Sequence, residues 1–207
     1  MARYGLFIDL SRCIGCCSCV VACKNYHGIP AGEDGRIKIL DRITGEYPEV
    51  ERWTFPLMCM QCEYPPCVSV CRYNASHKTD NGIITVDHDK CIGCELCTLA
   101  CPYGVRVMRG EENVADSCDL CLDRVIAGED PYCVQACPTG AMVFGDLDDP
   151  ESEVSRSIRR ENASPIMEKY RTKPKILYAN MNKRDLLEKG IGGHPFGNNQ
   201  STCPQHL

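Results

Sequence analysis

At 207 residues the chain is long for one small module and short for two ordinary domains. A formal net charge of −5 with no basic tract argues against a nucleic-acid partner, and no apolar stretch approaches the roughly 18 residues of a membrane span. The 43% hydrophobic content counts 18 cysteines, so without them only about a third of the chain is apolar, and whatever the cysteines bind must form part of the core.

Tyr4 to Asp9 reads as a short strand ended by a turn, and it leads into a first cysteine run, Cys13, Cys16, Cys19 and Cys23. Arg36 to Leu40 and Glu51 to Phe55 look like a hairpin. A second run follows, Cys59, Cys62, Cys67 and Cys71, with four residues between its middle pair. Ile83 to Val86 reads as a strand before the third run, Cys91, Cys94, Cys97 and Cys101, which Pro102 closes. Val105 to Met108 is another strand before the fourth run, Cys118, Cys121, Cys133 and Cys137, stretched by an eleven-residue insert and closed by Pro138. Met142 to Phe144 reads as a strand and Glu151 to Arg160 as a helix, opened by an Asp-Asp-Pro-Glu start signal. From about Asn162 the chain turns polar and reads as a tail that lies on a partner or stays disordered, with Ile176 to Tyr178 its one strand-like anchor.

The third run has the C-x2-C-x2-C-x3-C-P spacing by which bacterial-type ferredoxins hold [4Fe-4S] clusters. Three cysteines at intervals of three wrap a loop around one cube, and the fourth, about one helical turn on, ligates a neighbouring cluster. Gly15 and Gly93 suit loops that need positive φ or close backbone approach to sulfide. Structural zinc uses two separated pairs and no third cysteine three residues later, and a disulfide scaffold belongs to shorter secreted chains. Sixteen thiolates in four sets of four imply four cubanes, which would bring the net charge to about −13. Cluster binding and folding are then one equilibrium, so the cluster-free chain is expected not to fold. Cys-Ile-Gly-Cys-x-x-Cys-x-x-Ala-Cys occurs at Cys13 and again at Cys91, and Cys-Val-x-x-Cys at Cys67 and Cys133: an internal duplication. The expected fold class is α+β, two duplicated bacterial ferredoxin-like units with a C-terminal tail.

Four runs in this order, with the long insert only in the fourth, resemble the iron–sulfur electron-transfer subunits of the dimethyl sulfoxide reductase family of molybdenum or tungsten bis-pterin oxidoreductases, most of all those of polysulfide, thiosulfate and tetrathionate reductases. The resemblance covers about residues 3 to 180 and includes Glu63-Tyr64-Pro65-Pro66-Cys67, Cys101-Pro102-Tyr103-Gly104, Phe144-Gly145-Asp146-Leu147-Asp148-Asp149-Pro150 and Lys173-Pro174-Lys175. It implies that Cys13, Cys16, Cys19 and Cys137 share one cluster, and Cys23, Cys118, Cys121 and Cys133 a second. Cys59, Cys62, Cys67 and Cys101 share the third, and Cys71, Cys91, Cys94 and Cys97 the fourth. Residues 1–57 and 110–160 then form an outer unit, 58–109 an inner unit and 161–207 an extension packing on a partner or partly disordered. It further implies a large bis-pterin catalytic subunit next to the outer pair, and a quinone-linked membrane subunit or another donor next to the inner pair.

Departures from the family pattern carry their own readings. Arg72 follows Cys71 where the family has proline; either it is a cation beside a cluster, raising its potential, or it points to solvent. Cys17 reads as an unligated thiol, and Cys203 as a free or disordered one. His27, His77, His88, His194 and His206 lack metal-ligand spacing and read as surface or loop histidines, and Trp53 as core or interface. No catalytic constellation of its own is expected: the chain moves electrons and a partner does the chemistry. A freestanding polyferredoxin is the rival reading, and the equivalent subunit of a hydrogenase or formate dehydrogenase a third. Met1 to Leu10 lacks signal-peptide character, so any export address is expected to come from a partner; the resemblance implies an outer-face location through co-export with that partner, with a cytoplasmic complex as the alternative.

Overall fold

In the computed structural model, which describes residues 2–181 apart from the side chains of Arg42 and Thr44, short strands and one- to three-turn helices alternate. The first part runs β1 (Tyr4–Asp9), α1 (Ser18–Tyr26), β2 (Ile37–Glu46) and β3 (Glu49–Met58). The middle runs α2 (Pro66–Ser69), β4 (Ser76–Lys78), β5 (Ile84–Val86), α3 (Leu96–Ala100), β6 (Val107–Arg109) and β7 (Val114–Asp116). The last part runs α4 (Leu122–Ile126), α5 (Tyr132–Gln135), β8 (Met142–Asp146), α6 (Glu153–Arg160) and β9 (Ile176–Ala179). No helix among the described residues is long and apolar enough to cross a membrane.

β1 is a near-continuous apolar run, which calls for cover on both faces. Leu6 and Ile8 enter the main core, while Phe7 packs on the other side against Val154 of α6 and Ala179 of β9. β1 is the middle strand of three, antiparallel to β8 (Tyr4 opposite Asp146) and parallel to β9 (Leu6 opposite Ile176). α6 begins two residues later than its proline signal suggests. The Asp149 carboxylate first takes the Glu151 N–H at 2.9 Å in a local turn, and Ser152 then caps the helix by accepting from the Ser155 N–H at 3.2 Å.

The β2–β3 hairpin reaches far beyond its expected strands, pairing from Ile37 opposite Met58 out to Glu46 opposite Glu49. Its outer half is polar and exposed, so no apolar alternation marks it. There the ladder itself satisfies the backbone, helped by the Arg52–Asp41 pair at 2.6 Å across the strands. The base of the hairpin, with Ile37, Ile39, Phe55, Leu57 and Met58, is buried in the main core.

The stretch after Asn162, expected to lie on a partner or stay disordered, folds onto the chain's own core as far as Met181; residues 182–207 of the expected extension lie outside the described residues. Its polar residues find internal partners. The Glu63 and Tyr64 N–H groups donate to the Lys173 and Thr172 carbonyls, and the Lys175 N–H donates to the Met60 carbonyl at 2.9 Å. Lys175 Nζ, 2% exposed as a residue, donates to the Gly82 carbonyl, and Ile176 and Tyr178 are fully buried. Composition alone hides such a strap, because its burial depends on partners far away in sequence.

Candidate metal centre

Each cysteine loop passes through left-handed backbone on its way into a short helix. Gly15 (φ 66°) and Gly93 (φ 69°) hold the equivalent places in runs one and three. A Cβ on Gly15 would stand 2.7 Å from Thr54 Cγ2, and one on Gly93 would collide with the Asn113 carbonyl oxygen. Two residues on, Cys17 (φ 62°) and Glu95 (φ 60°) sit left-handed as the N-caps of α1 and α3. Runs two and four match each other likewise, with Gln61 at φ 48° and Leu120 at φ 57°. Non-glycine residues adopt this conformation at a cost, so its recurrence at matching places carries the sequence repeat into the backbone.

Sixteen cysteines of the four runs are free thiols. Cys19 lies against Cys13, Cys16 and Cys137, whose charges bear on it. Cys133 lies against Cys23 and Cys121, and Cys118 against Cys23 and Cys133. Cys62 lies against Cys67 and Cys101, and Cys59 against Cys67 and Cys62. Cys71, Cys91, Cys94 and Cys97 line one hollow with Tyr73, Ala75 and Ile92. Between these groups, Cys19 bears on Cys133, Cys59 on Cys118, and Cys67 on Cys97. Cys16 and Cys94 are exposed, whereas Cys118, Cys121, Cys133, Cys23, Cys59, Cys62 and Cys67 are buried. The packing follows the same division, α1 against α5 and α2 against α3.

Polar hydrogens are aimed at the sulfurs. The Ser76, Ala115 and Ala141 N–H groups donate to Cys71, Cys91 and Cys137 Sγ, each at 3.3 Å, and Thr54 Oγ1 donates to Cys13 Sγ at 3.4 Å. Against its partial burial, the Thr139 hydroxyl and the Ala141, Thr139 and Met142 N–H groups hold the Cys137 thiol below its ordinary pKa. Elsewhere burial dominates and pushes Cys19 and Cys23 up to about 12 and Cys62 to about 11. Near Cys23, Arg36 pairs with Asp116 at 2.9 Å and with Asp119 at 3.0 Å, and it stands 3.1 Å from His27. Burial, with Arg36 beside it, lowers the His27 pKa. His27 Nε2 is 3.6 Å from Cys121 Sγ.

A tetrahedral zinc ion needs its sulfurs about 2.3 Å from one point. Among the described residues no three His, Cys, Asp or Glu side chains converge on a single ion. Thiols that gather in fours without meeting at a point, with N–H groups directed at sulfur, suit a cluster whose irons occupy separate corners. The residues present thus fit [4Fe-4S] groups.

Two residues near the thiols escape a reading along the chain. His27 reads as a loop histidine but stands against Cys121 across the fold. Arg106, 6% exposed, lies among Cys59, Cys67, Cys97 and Cys101; its only sequence signal is a charge set inside the apolar stretch Val105–Met108. Arg72 is exposed, as its solvent reading has it. Cys17, read as an unligated thiol, is disulfide-bonded. Cys203, His194 and His206 lie outside the described residues.

Residues 50–147 match the 4Fe-4S dicluster domain family, a span that takes in runs two, three and four. The chain is 41% identical to the B subunit of the sulfite dehydrogenase of Allochromatium vinosum, over 84% of this chain and 81% of that one. It is 37% identical to the iron-sulfur B subunit of a putative dimethyl sulfoxide reductase of Halobacterium salinarum, over 87% and 80%. It is 43% identical to PhsB, the electron transfer subunit of the thiosulfate reductase of Salmonella typhi, over 74% and 80%.

Proposed function

Because the chain belongs to the iron–sulfur electron-transfer subunits of the dimethyl sulfoxide reductase family, we propose that it carries four [4Fe-4S] clusters in a line between a bis-pterin catalytic subunit and a quinone-linked membrane subunit. The proposed ligand sets are Cys13, Cys16, Cys19 and Cys137; Cys23, Cys118, Cys121 and Cys133; Cys59, Cys62, Cys67 and Cys101; and Cys71, Cys91, Cys94 and Cys97. One observation supports the linear order: a charge on Cys19 bears on Cys133, one on Cys59 on Cys118 and one on Cys67 on Cys97, so each set lies within electrostatic reach of the next.

When bound, each cluster takes up and gives out one electron. The chain's own residues set how readily: N–H groups on Cys71, Cys91 and Cys137 stabilise negative charge on sulfur, and burial keeps water from the middle of the line. The exposed Cys16 and Cys94 mark its two ends, the first proposed to face the catalytic subunit and the second the membrane subunit. The proposed architecture is two interlocked ferredoxin-like units, 1–57 with 110–160 outside and 58–109 inside. The packing of α1 on α5 and of α2 on α3 supports it. The family relation favours the outer face of the cytoplasmic membrane, reached by co-export with a partner.

Anaerobic purification of the native complex with metal analysis tests the reading. About sixteen irons per chain, with stoichiometric molybdenum or tungsten and a large companion subunit, is the expected result. Sixteen irons with neither heavy metal nor companion would turn the reading to a freestanding polyferredoxin. Eight irons would end the four-cluster line.

A further inference from the structure

A buried cation stands between the two inner thiol groups. Arg106 follows the last cysteine of run three and enters β6, and its guanidinium is enclosed. Nη2 donates to Ser76 Oγ at 2.7 Å. Nε and Nη1 are just as buried and meet no nitrogen or oxygen acceptor. Around them lie thiols: the guanidinium charge bears on Cys67, Cys59, Cys97 and Cys101. Ser76, which takes the third nitrogen, itself donates its N–H to Cys71 Sγ. The guanidinium thus reaches Cys71 through Ser76 and lies near Cys67, Cys59, Cys97 and Cys101.

Arg109, the other buried arginine among the described residues, and the partly buried Arg36 have carboxylate partners. Arg36 has Asp116 and Asp119, and Arg109 has Asp116 and Glu33. Arg106 has none among the described residues, and an uncompensated guanidinium at such depth is strongly unfavourable. It is stable there only if the thiolates and what they hold supply the negative charge.

We propose that Arg106 is the electrostatic bridge of the inner pair: its fixed charge raises the reduction potentials of both inner clusters and so offsets the repulsion that an electron on one imposes on an electron on the other. Guanidinium suits the place because it stays protonated at any working pH and offers several N–H groups in a plane. The inference rests on the four-cluster reading above and adds a device to it. Arg106 acts on the clusters through their ligands and is a positioning and tuning residue.

The test is a redox titration of the purified complex followed by electron paramagnetic resonance, for the parent, Arg106→Gln and Arg106→Lys, with iron counted in each. The parent alone checks the underlying reading: four midpoints and about sixteen irons uphold it, fewer of either overturn it. In fully loaded Arg106→Gln, two of the four midpoints are expected to fall and two to stay, while Arg106→Lys keeps all four near the parent. If Arg106→Gln loses iron and Arg106→Lys does not, a cation is needed beside these ligands, as proposed. If loaded Arg106→Gln titrates like the parent, if Arg106→Lys shifts as far as Arg106→Gln, or if neither variant loads iron, charge is not the role and the proposal is overturned.

Discussion

Gln61 shows how much one side chain between two cysteines carries. It stands between Cys59 and Cys62 and is fully buried. Its Oε1 accepts from the Ile84 N–H at 2.7 Å, and its Nε2 donates to the carbonyls of Cys118 at 2.8 Å and Ile84 at 3.3 Å. One amide thus ties the loop of run two to β5 and to the first cysteine of run four. Gln61→Leu strands two buried backbone groups, each costing about 1–3 kcal/mol, so a loss of about 2–6 kcal/mol is expected. In a chain of this size that lowers the melting midpoint of the loaded protein by roughly 5–20 °C. An unchanged midpoint in differential scanning calorimetry would show that water replaces the amide. The sequence holds no hint of this role, because both partners come from other segments. The same limit separates Arg72 from Arg106: the cation next to a cysteine in the chain is exposed, and the one lodged among sulfurs enters five residues beyond Cys101.

At the scale of elements, what a short run of residues can signal was legible. β1 and β8 begin where the apolar stretches at Tyr4 and Met142 begin, since a strand buried on both faces is written as consecutive apolar residues. The cysteine spacing marked every loop, because ligand geometry dictates it. Illegible were the outer half of the β2–β3 hairpin and the strap 163–175, whose stability comes from backbone pairing across the fold. The strap makes a prediction of its own. Tyr178 is fully buried, stacks on Phe55 with ring centres 4.4 Å apart, and donates its hydroxyl to the Pro56 carbonyl at 3.0 Å. Tyr178→Phe removes one buried hydrogen bond and should cost about 1 kcal/mol. Tyr178→Ala leaves a cavity beneath the hairpin and should cost about 3–5 kcal/mol. Limited proteolysis of the loaded protein reads the difference: cleavage after residue 162 should rise slightly in the first and strongly in the second. Equal cleavage in both would mean that the ring does not hold the strap.

For the whole molecule the question is what remains when the clusters leave. Cys19, Cys23, Cys59, Cys62, Cys67, Cys97, Cys118 and Cys133 belong to the same packed core as Leu6, Phe55, Leu57 and Ile176, so the thiol loops are interior, and among the described residues no separate apolar centre of comparable size stands beside them. The second apolar group is small, built on Phe7, Val154 and Ala179. Cys137 and Cys19, far apart in sequence, lie near enough for their charges to interact, so a cluster held by both, as proposed, would be a cross-link closing a long loop. Remove them, and the chain keeps hollows lined by sulfur together with a buried Arg106 that has lost its counter-charge. Native structure depends on ligand binding when the site cannot be held without it. Anaerobic chelation of the loaded protein, followed by cluster absorbance and far-ultraviolet circular dichroism together, should therefore show both signals falling in one transition. The iron-free product should then lack a cooperative thermal unfolding step. A chain that loses its cluster absorbance but keeps its dichroism and a sharp melt would have a core that stands on side chains alone, and the β1–β8–β9 sheet with α6 is where such a remnant would be found.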